Sequence, residues 1–132
     1  MTQTADNKFR KNQRLLRHAD FERVYKQGRR HFAAHMTVFY LARSGERAEG
    51  SVGSRVGFTV SKALGGAVQR NRMKRRLREA VRLHGGIPGT NADVVVNPKR
   101  SLLTVDFTEI RNEIAKAFVV IEKTLQQKKE KR

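Results

Sequence analysis

Apolar and polar residues alternate along this chain with two different periods, and the two periods predict most of its elements. Phe21, Val24 and Tyr25 recur at helical spacing within residues 19–27, with Asp20 and Glu22 in the first turn and Gly28 as a stop, which predicts a short helix. Residues 36–43 alternate weakly but are rich in Val, Phe, Tyr and Leu, so a strand is expected there. Residues 44–53 carry Gly45, Gly50 and Gly53 among charges and read as a loop or hairpin connection. A cleaner strand covers 55–60: Val56, Phe58 and Val60 point one way, Arg55, Gly57 and Thr59 the other. After Gly65-Gly66 a helical pattern spans 69–84 and stops at Gly85-Gly86. The run Val94-Val95-Val96 within 93–97 reads as a buried strand, closed by Pro98. A last long helix is expected from Asp106, with Glu109 three residues on as in a capping box. Its apolar stripe is Phe107, Ile110, Ile114, Ala117, Phe118, Ile121 and Leu125.

Strands and helices in this order make an α+β chain, an α/β sandwich with a small central sheet flanked by helices. The helices should cover the Phe58 side and leave the Gly57/Thr59 side partly open. Length allows one domain over 1–132, with a mobile basic arm over about residues 1–14 and a frayed tail over about 126–132. There is no cysteine to support a disulfide or a thiolate metal site. No apolar stretch approaches the roughly 18 residues of a membrane span, and no signal peptide is evident. A cytoplasmic protein is expected.

Charge changes the picture most at the basic helix. Residues 69–84 hold seven Arg and Lys against one acid, Glu79. At about 100° per residue, Met73, Leu77, Ala80, Val81 and His84 share one narrow sector. Asn71, Arg75, Arg78 and Arg82 lie opposite, and Arg70, Arg72, Lys74 and Arg76 fill the flanks. One face can pack on a core while the other presents guanidinium groups, whose planar fork of donors matches phosphate oxygens. Like charges at this spacing repel and cost helix stability, which argues against a merely solvated face. The chain as a whole carries a formal net charge of +17, which attracts polyanions and makes binding depend on salt.

Aromatic residues stand near this charge, Phe21 and Tyr25 one helical turn apart and Phe39 and Tyr40 on a strand. Single-stranded RNA is typically held by a positive groove with aromatic faces on which bases stack. A protein nuclease would want convergent carboxylates for metal ions, but the acids here are scattered, and most read as helix caps or solvent positions. The four histidines have no ligand spacing. No catalytic group and no metal site are therefore assigned to the chain. A DNA-binding helix-turn-helix fits poorly, because a strand and a glycine linker precede the basic helix. A structural RNA-binding protein of ribosomal type is one reading that charge alone leaves open.

Residues 55–82, RVGFTVSKALGGAVQRNRMKRRLREAVR, closely resemble the signature of the bacterial ribonuclease P protein component. That signature joins a VG-x-x-[VI]-SK strand, a Gly/Ala/Val connector and an R-N-R-x-K-R helix. DFERVYKQG at 20–28 resembles the family's first helix, and ADVVVNPKRSLLTVDFTEIRNEI resembles its last strand and helix. The resemblance implies a left-handed βαβ crossover at the basic helix, against the general preference for right-handed ones. It also implies the protein subunit of an endoribonuclease that removes the 5′ leader from precursor tRNA. The chemistry would be carried by a catalytic RNA and its Mg²⁺, with no membrane and no obligate protein partner. Carried over by residue, Arg70, Asn71, Arg72, Lys74, Arg75 and Arg78 match the helix that meets the catalytic RNA. Phe21, Tyr25 and Phe39 match the aromatic positions of the leader cleft, with Ser61 and Lys62 as the SK pair beside it. Phe39 stands where tyrosine is common, and Gly65-Gly66 where a single glycine is usual.

Overall fold

The chain folds in the order helix α1 (His18–Gln27), strands β1 (Arg29–Phe32), β2 (Met36–Ala42) and β3 (Arg55–Phe58), helix α2 (Ala67–His84), strand β4 (Ala92–Pro98) and helix α3 (Phe107–Glu130). Short 3-10 turns at Lys62–Leu64 and Arg100–Leu103 lead into α2 and α3. The structure is a computed structural model that describes residues 17–42, 54–85 and 91–130, with side chains up to Leu125. The basic arm, the 44–53 connection and the tail side chains discussed above lie outside the described residues.

The strands form one sheet in the order β1-β2-β4-β3. The β1–β2 and β2–β4 pairs are antiparallel, whereas β3 and β4 run parallel. A parallel pair needs a crossover, and α2 supplies it. The fold class expected from the residues is thus the observed one, but β1 was not foreseen. Its four residues, RRHF, are too short and too polar for a period to show. It forms because Gly28 lets the chain turn directly from α1 onto β2. A Cβ there would sit 2.6 Å from both the Tyr40 and the Val24 carbonyl oxygens, an approach only glycine tolerates. Strand β3 is shorter than the pattern over 55–60, although the Thr59 N–H still donates to the Val96 carbonyl at 3.1 Å.

The sheet buries its two faces unequally. On one side Met36, Val38, Tyr40, Val56, Val94 and Val96 pack against Met73, Leu77, Ala80 and Val81 of α2 and Ile110, Ile114, Ala117, Phe118 and Ile121 of α3. Each fully buried Val, Leu, Ile, Phe or Met side chain among these contributes about 1.5–3 kcal/mol relative to exposure. On the other side, among the described residues, only α1 crosses the sheet, with Val24 against Val95 and with Phe21, Tyr25, Phe39 and Leu41 around them. The valine run on β4 serves both layers, Val94 and Val96 one and Val95 the other, which is why no polar residue interrupts it.

Helix α2 keeps its expected apolar sector, and the ring of His84, although exposed, meets the Phe118 ring edge-on at 4.9 Å. Gly65 at φ +144° sets the turn into the helix, and the Gln69 side chain accepts the Gly66 N–H at 2.8 Å. Arg76, read from its spacing as a flank of the basic array, is instead a structural residue. Its guanidinium donates to the carbonyls of Leu102 (2.7 Å), Leu103 (2.9 Å) and Val105, tying α2 to the turn that precedes α3.

Candidate nucleic-acid interface

The partly open face of the sheet is laid out in rows set by strand register. One row runs Arg30, Phe39, Val95, Gly57, and the next runs Phe32, Thr37, Asn97, with Thr59 following at the end of β3. Helix α1 brings Tyr25 onto these rows. Its ring meets Phe39 edge-on at 4.9 Å between centroids, and its hydroxyl donates to Asn97 Oδ1 at 3.1 Å. Arg30 places its guanidinium 5.6 Å from the centre of the Phe39 ring, within cation–π range. Phe21, one turn before Tyr25, is half-buried beside the same cluster. The three aromatics picked out in the sequence are therefore brought together, each keeping part of its surface exposed, while Tyr40 turns to the opposite face and is core. Arg30 and Asn97, which complete the group, went unnoticed. A strand too short to recognise hid the first, and the distance in sequence between Tyr25 and Asn97 hid the second.

An ionic cluster anchors α1 at the other end of this face. Asp93 is fully buried and accepts from Arg55 (2.9 and 3.0 Å) and from Arg23 (2.7 Å). Asp20, almost buried, accepts from Arg23 at 2.9 Å and lies 3.6 Å from Arg55. The hydrogen bond to Asp93 raises the Arg55 pKa further, against the opposing effect of partial burial. These two acids are not the solvent or cap positions expected of them. They are structural anions that hold a helix on a sheet. The signal was present, since Asp93 interrupts the start of a fully buried apolar run and a carboxylate there requires a partner.

Ser61 and Lys62 follow the end of β3, both exposed. The Ser61 hydroxyl accepts the Ala63 N–H at 3.1 Å and starts the 3-10 turn that leads into α2. They lie on the chain between the aromatic face and the basic helix rather than within the aromatic cluster. On α2, Asn71, Arg72, Arg75 and Arg78 are exposed and Lys74 is half-buried. Arg70 is half-buried and donates through Nε to the Gly65 carbonyl at 3.1 Å. Among the described residues no carboxylate pairs with Arg72, Lys74, Arg75 or Arg78, whereas Arg82 is held by Glu79. The described residues contain no group of three or more His, Asp or Glu placed to hold a metal ion. Among them, too, no helix is long and apolar enough to cross a membrane.

A family model described as Ribonuclease P matches residues 9–122. The chain belongs to the ribonuclease P protein family. It is 46% identical over 90 residues to a ribonuclease P protein component of Oleidesulfovibrio alaskensis, covering 67% of this chain and 68% of that protein. It is 38% identical over 94 residues to the component of Maridesulfovibrio salexigens, covering 71% and 73%. Its fold is similar to that of the RNase P protein of Staphylococcus aureus, with a TM-score of 0.68 and 26% identity over 83% of this chain and 95% of that one. The RNase P protein of Thermotoga maritima gives a TM-score of 0.67 and 28% identity, covering 80% and 94%. Its role is that of a protein component of ribonuclease P, one part of an endoribonuclease holoenzyme, and not that of a ribosomal-type structural protein.

Proposed function

We propose that the two surfaces divide the work of this component. The outer face of α2, through Arg70, Asn71, Arg72, Lys74, Arg75 and Arg78, meets the catalytic RNA. The aromatic face takes the single-stranded 5′ leader of precursor tRNA, with Phe21, Tyr25 and Phe39 as stacking surfaces and Ser61 and Lys62 along the path toward α2. The observation that carries the reading is the Arg30–Phe39–Tyr25 arrangement on the side of the sheet that, among the described residues, only α1 covers. Aromatic faces flanked by cations are what an extended single strand requires, because bases stack and phosphates need neutralising. The described residues do not fit a Mg²⁺ site, since the two buried carboxylates among them, Asp20 and Asp93, are engaged by guanidinium groups. The Mg²⁺ of the reaction is assigned to the RNA subunit, and no protein residue is given a catalytic role. The compartment is the cytoplasm, where precursor tRNA is made.

Tyr25→Ala in the reconstituted holoenzyme tests the leader assignment. Loss of one stacking face should weaken precursor-tRNA binding by about 1–3 kcal/mol. Mature tRNA, which lacks the leader, should bind as before. Equal losses on both substrates would remove Tyr25 from the leader path.

A further inference from the structure

We infer that Phe32 is a terminal stacking platform for the leader, one nucleotide beyond Phe39. The inference rests on the leader reading above and adds to it a subsite on the edge strand. Phe32 is 66% exposed, and it is the one aromatic among the exposed large apolar side chains of the described residues. Its pairing with Thr37, and that of Thr37 with Asn97, puts it on the face where Asn97 bonds Tyr25. Arg30, two residues earlier on the same strand, lies over the Phe39 ring, so Phe32 stands about 7 Å further along the same face.

Nothing in the packing of the described residues asks for a phenylalanine here. It belongs to neither apolar cluster, and an exposed aromatic on an edge strand is an association hazard that a protein has reason to avoid. The surroundings specify the occupant. Arg30 precedes Phe32 on its own face, and just past it the Lys99 ammonium donates to the Ala33 carbonyl at 3.0 Å. A ring between two cations suits a base joined to its phosphates. A second copy of this chain would bring the same +17 charge against it, so self-association through this edge is disfavoured. The occupant is therefore a nucleotide of the leader distant from the cleavage site, and Phe32 sets how much leader the protein can use.

The test uses the full chain assembled with the ribonuclease P RNA and a series of precursor tRNAs whose leaders lengthen by one nucleotide at a time. Affinities are measured for the parent, Tyr25→Ala, Phe32→Ala and Phe32→Trp. Phe32→Ala should lose about five- to tenfold in affinity, toward the lower end of what one stacked base contributes. The loss should set in only at leaders longer than those at which Tyr25→Ala first shows its own, and Phe32→Trp should restore binding. If Phe32→Ala matches the parent at every length while Tyr25→Ala still loses affinity, the subsite falls and the leader reading stands. If neither variant separates precursor from mature tRNA, the leader reading itself falls and takes the subsite with it. An equal Phe32→Ala loss on mature tRNA, or a concentration-dependent dimer that this variant abolishes, would assign the ring to another partner and overturn the inference.

Discussion

The outer face of α2 and the open face of the sheet both present arginines beside a prospective RNA path, yet they are built in opposite ways. On α2, local periodicity alone aligns Asn71, Arg72, Arg75 and Arg78, and no carboxylate among the described residues holds Arg72, Arg75 or Arg78. On the sheet, Tyr25, Phe39, Arg30 and Asn97 come from four different elements. Strand register brings Arg30, Phe39 and Asn97 together, and the clamp of Arg23 and Arg55 on Asp20 and Asp93, with Val24 packed on Val95, holds α1 and its Tyr25 across them. A surface that needs only charge can be carried by one helix and tolerates side-chain motion. The stacking surface proposed for the sheet would need rings at set positions, and the buried ionic cluster fixes the helix that carries Phe21 and Tyr25.

The largest effect should come from breaking that clamp. Asp93→Ala removes a fully buried carboxylate and strands two guanidinium groups, each of which still reaches water in part. Deleting one partner of a wholly buried pair costs about 3–5 kcal/mol, so with solvent screening about 2–4 kcal/mol of unfolding free energy is expected here. Urea titration measures it. At a temperature where the variant stays folded, discrimination between precursor and mature tRNA should fall while the salt dependence of assembly with the RNA keeps its slope. A variant that lost both together would show that the two surfaces are one.

A pair of substitutions on α2 divides its charges by role. Arg76→Ala removes the donors to three carbonyls ahead of α3 and should cost about 1.5–3 kcal/mol of stability, the range for hydrogen bonds to a charged group. Its effect on the salt slope of assembly should be negligible. Arg75→Ala should do the reverse, with stability changed by less than about 0.5 kcal/mol and the log–log salt slope flattened by about one phosphate contact. Salt titrations of assembly beside thermal melts of the free chain compare the two. Identical behaviour would mean that the outer face is only solvated.

This contrast also accounts for what could be read from residues alone. The apolar sectors of α2 and α3 repeat at helical spacing, so Met73, Leu77, Ile110, Ile114 and Phe118 are legible as core from spacing alone. The outer face of α2 was legible for the same reason, except at Arg76. Nothing local distinguishes an arginine whose long side chain reaches a turn 26 residues away from one that faces solvent. The aromatic face was legible only through family resemblance. Phe21 and Phe39 satisfy a core pattern and a cleft pattern equally well, and their half-buried placement around Val24 and Val95 follows from how α1 packs on the sheet, which no local spacing shows. Strand β1 was not legible at all, because its existence depends on the close approach of Gly28 to Tyr40 rather than on any property of RRHF.

The smallest expected effect lies where the basic face of α2 stops. Arg82 falls on the same side as Arg75 and Arg78, but Glu79 holds it through Nε at 3.1 Å and through a second, shorter contact. The hydrogen bond from Arg82 keeps the Glu79 carboxyl below its ordinary range. Because the folded-state pKa is the lower one, whatever the pair contributes to stability is fully present above the unfolded carboxylate pKa. It is lost only as the pH falls through the depressed folded value, so at neutral pH Arg82 remains withdrawn from the array. Glu79→Gln releases it. Near pH 7 the salt slope of assembly should steepen, by at most about one. The melting temperature at that pH should barely move, because the pair is exposed. A slope unchanged from the parent would place the last turn of α2 outside the RNA contact and end the basic face at Arg78. A steeper slope would extend the face a further turn, with Glu79 as the residue that trims it.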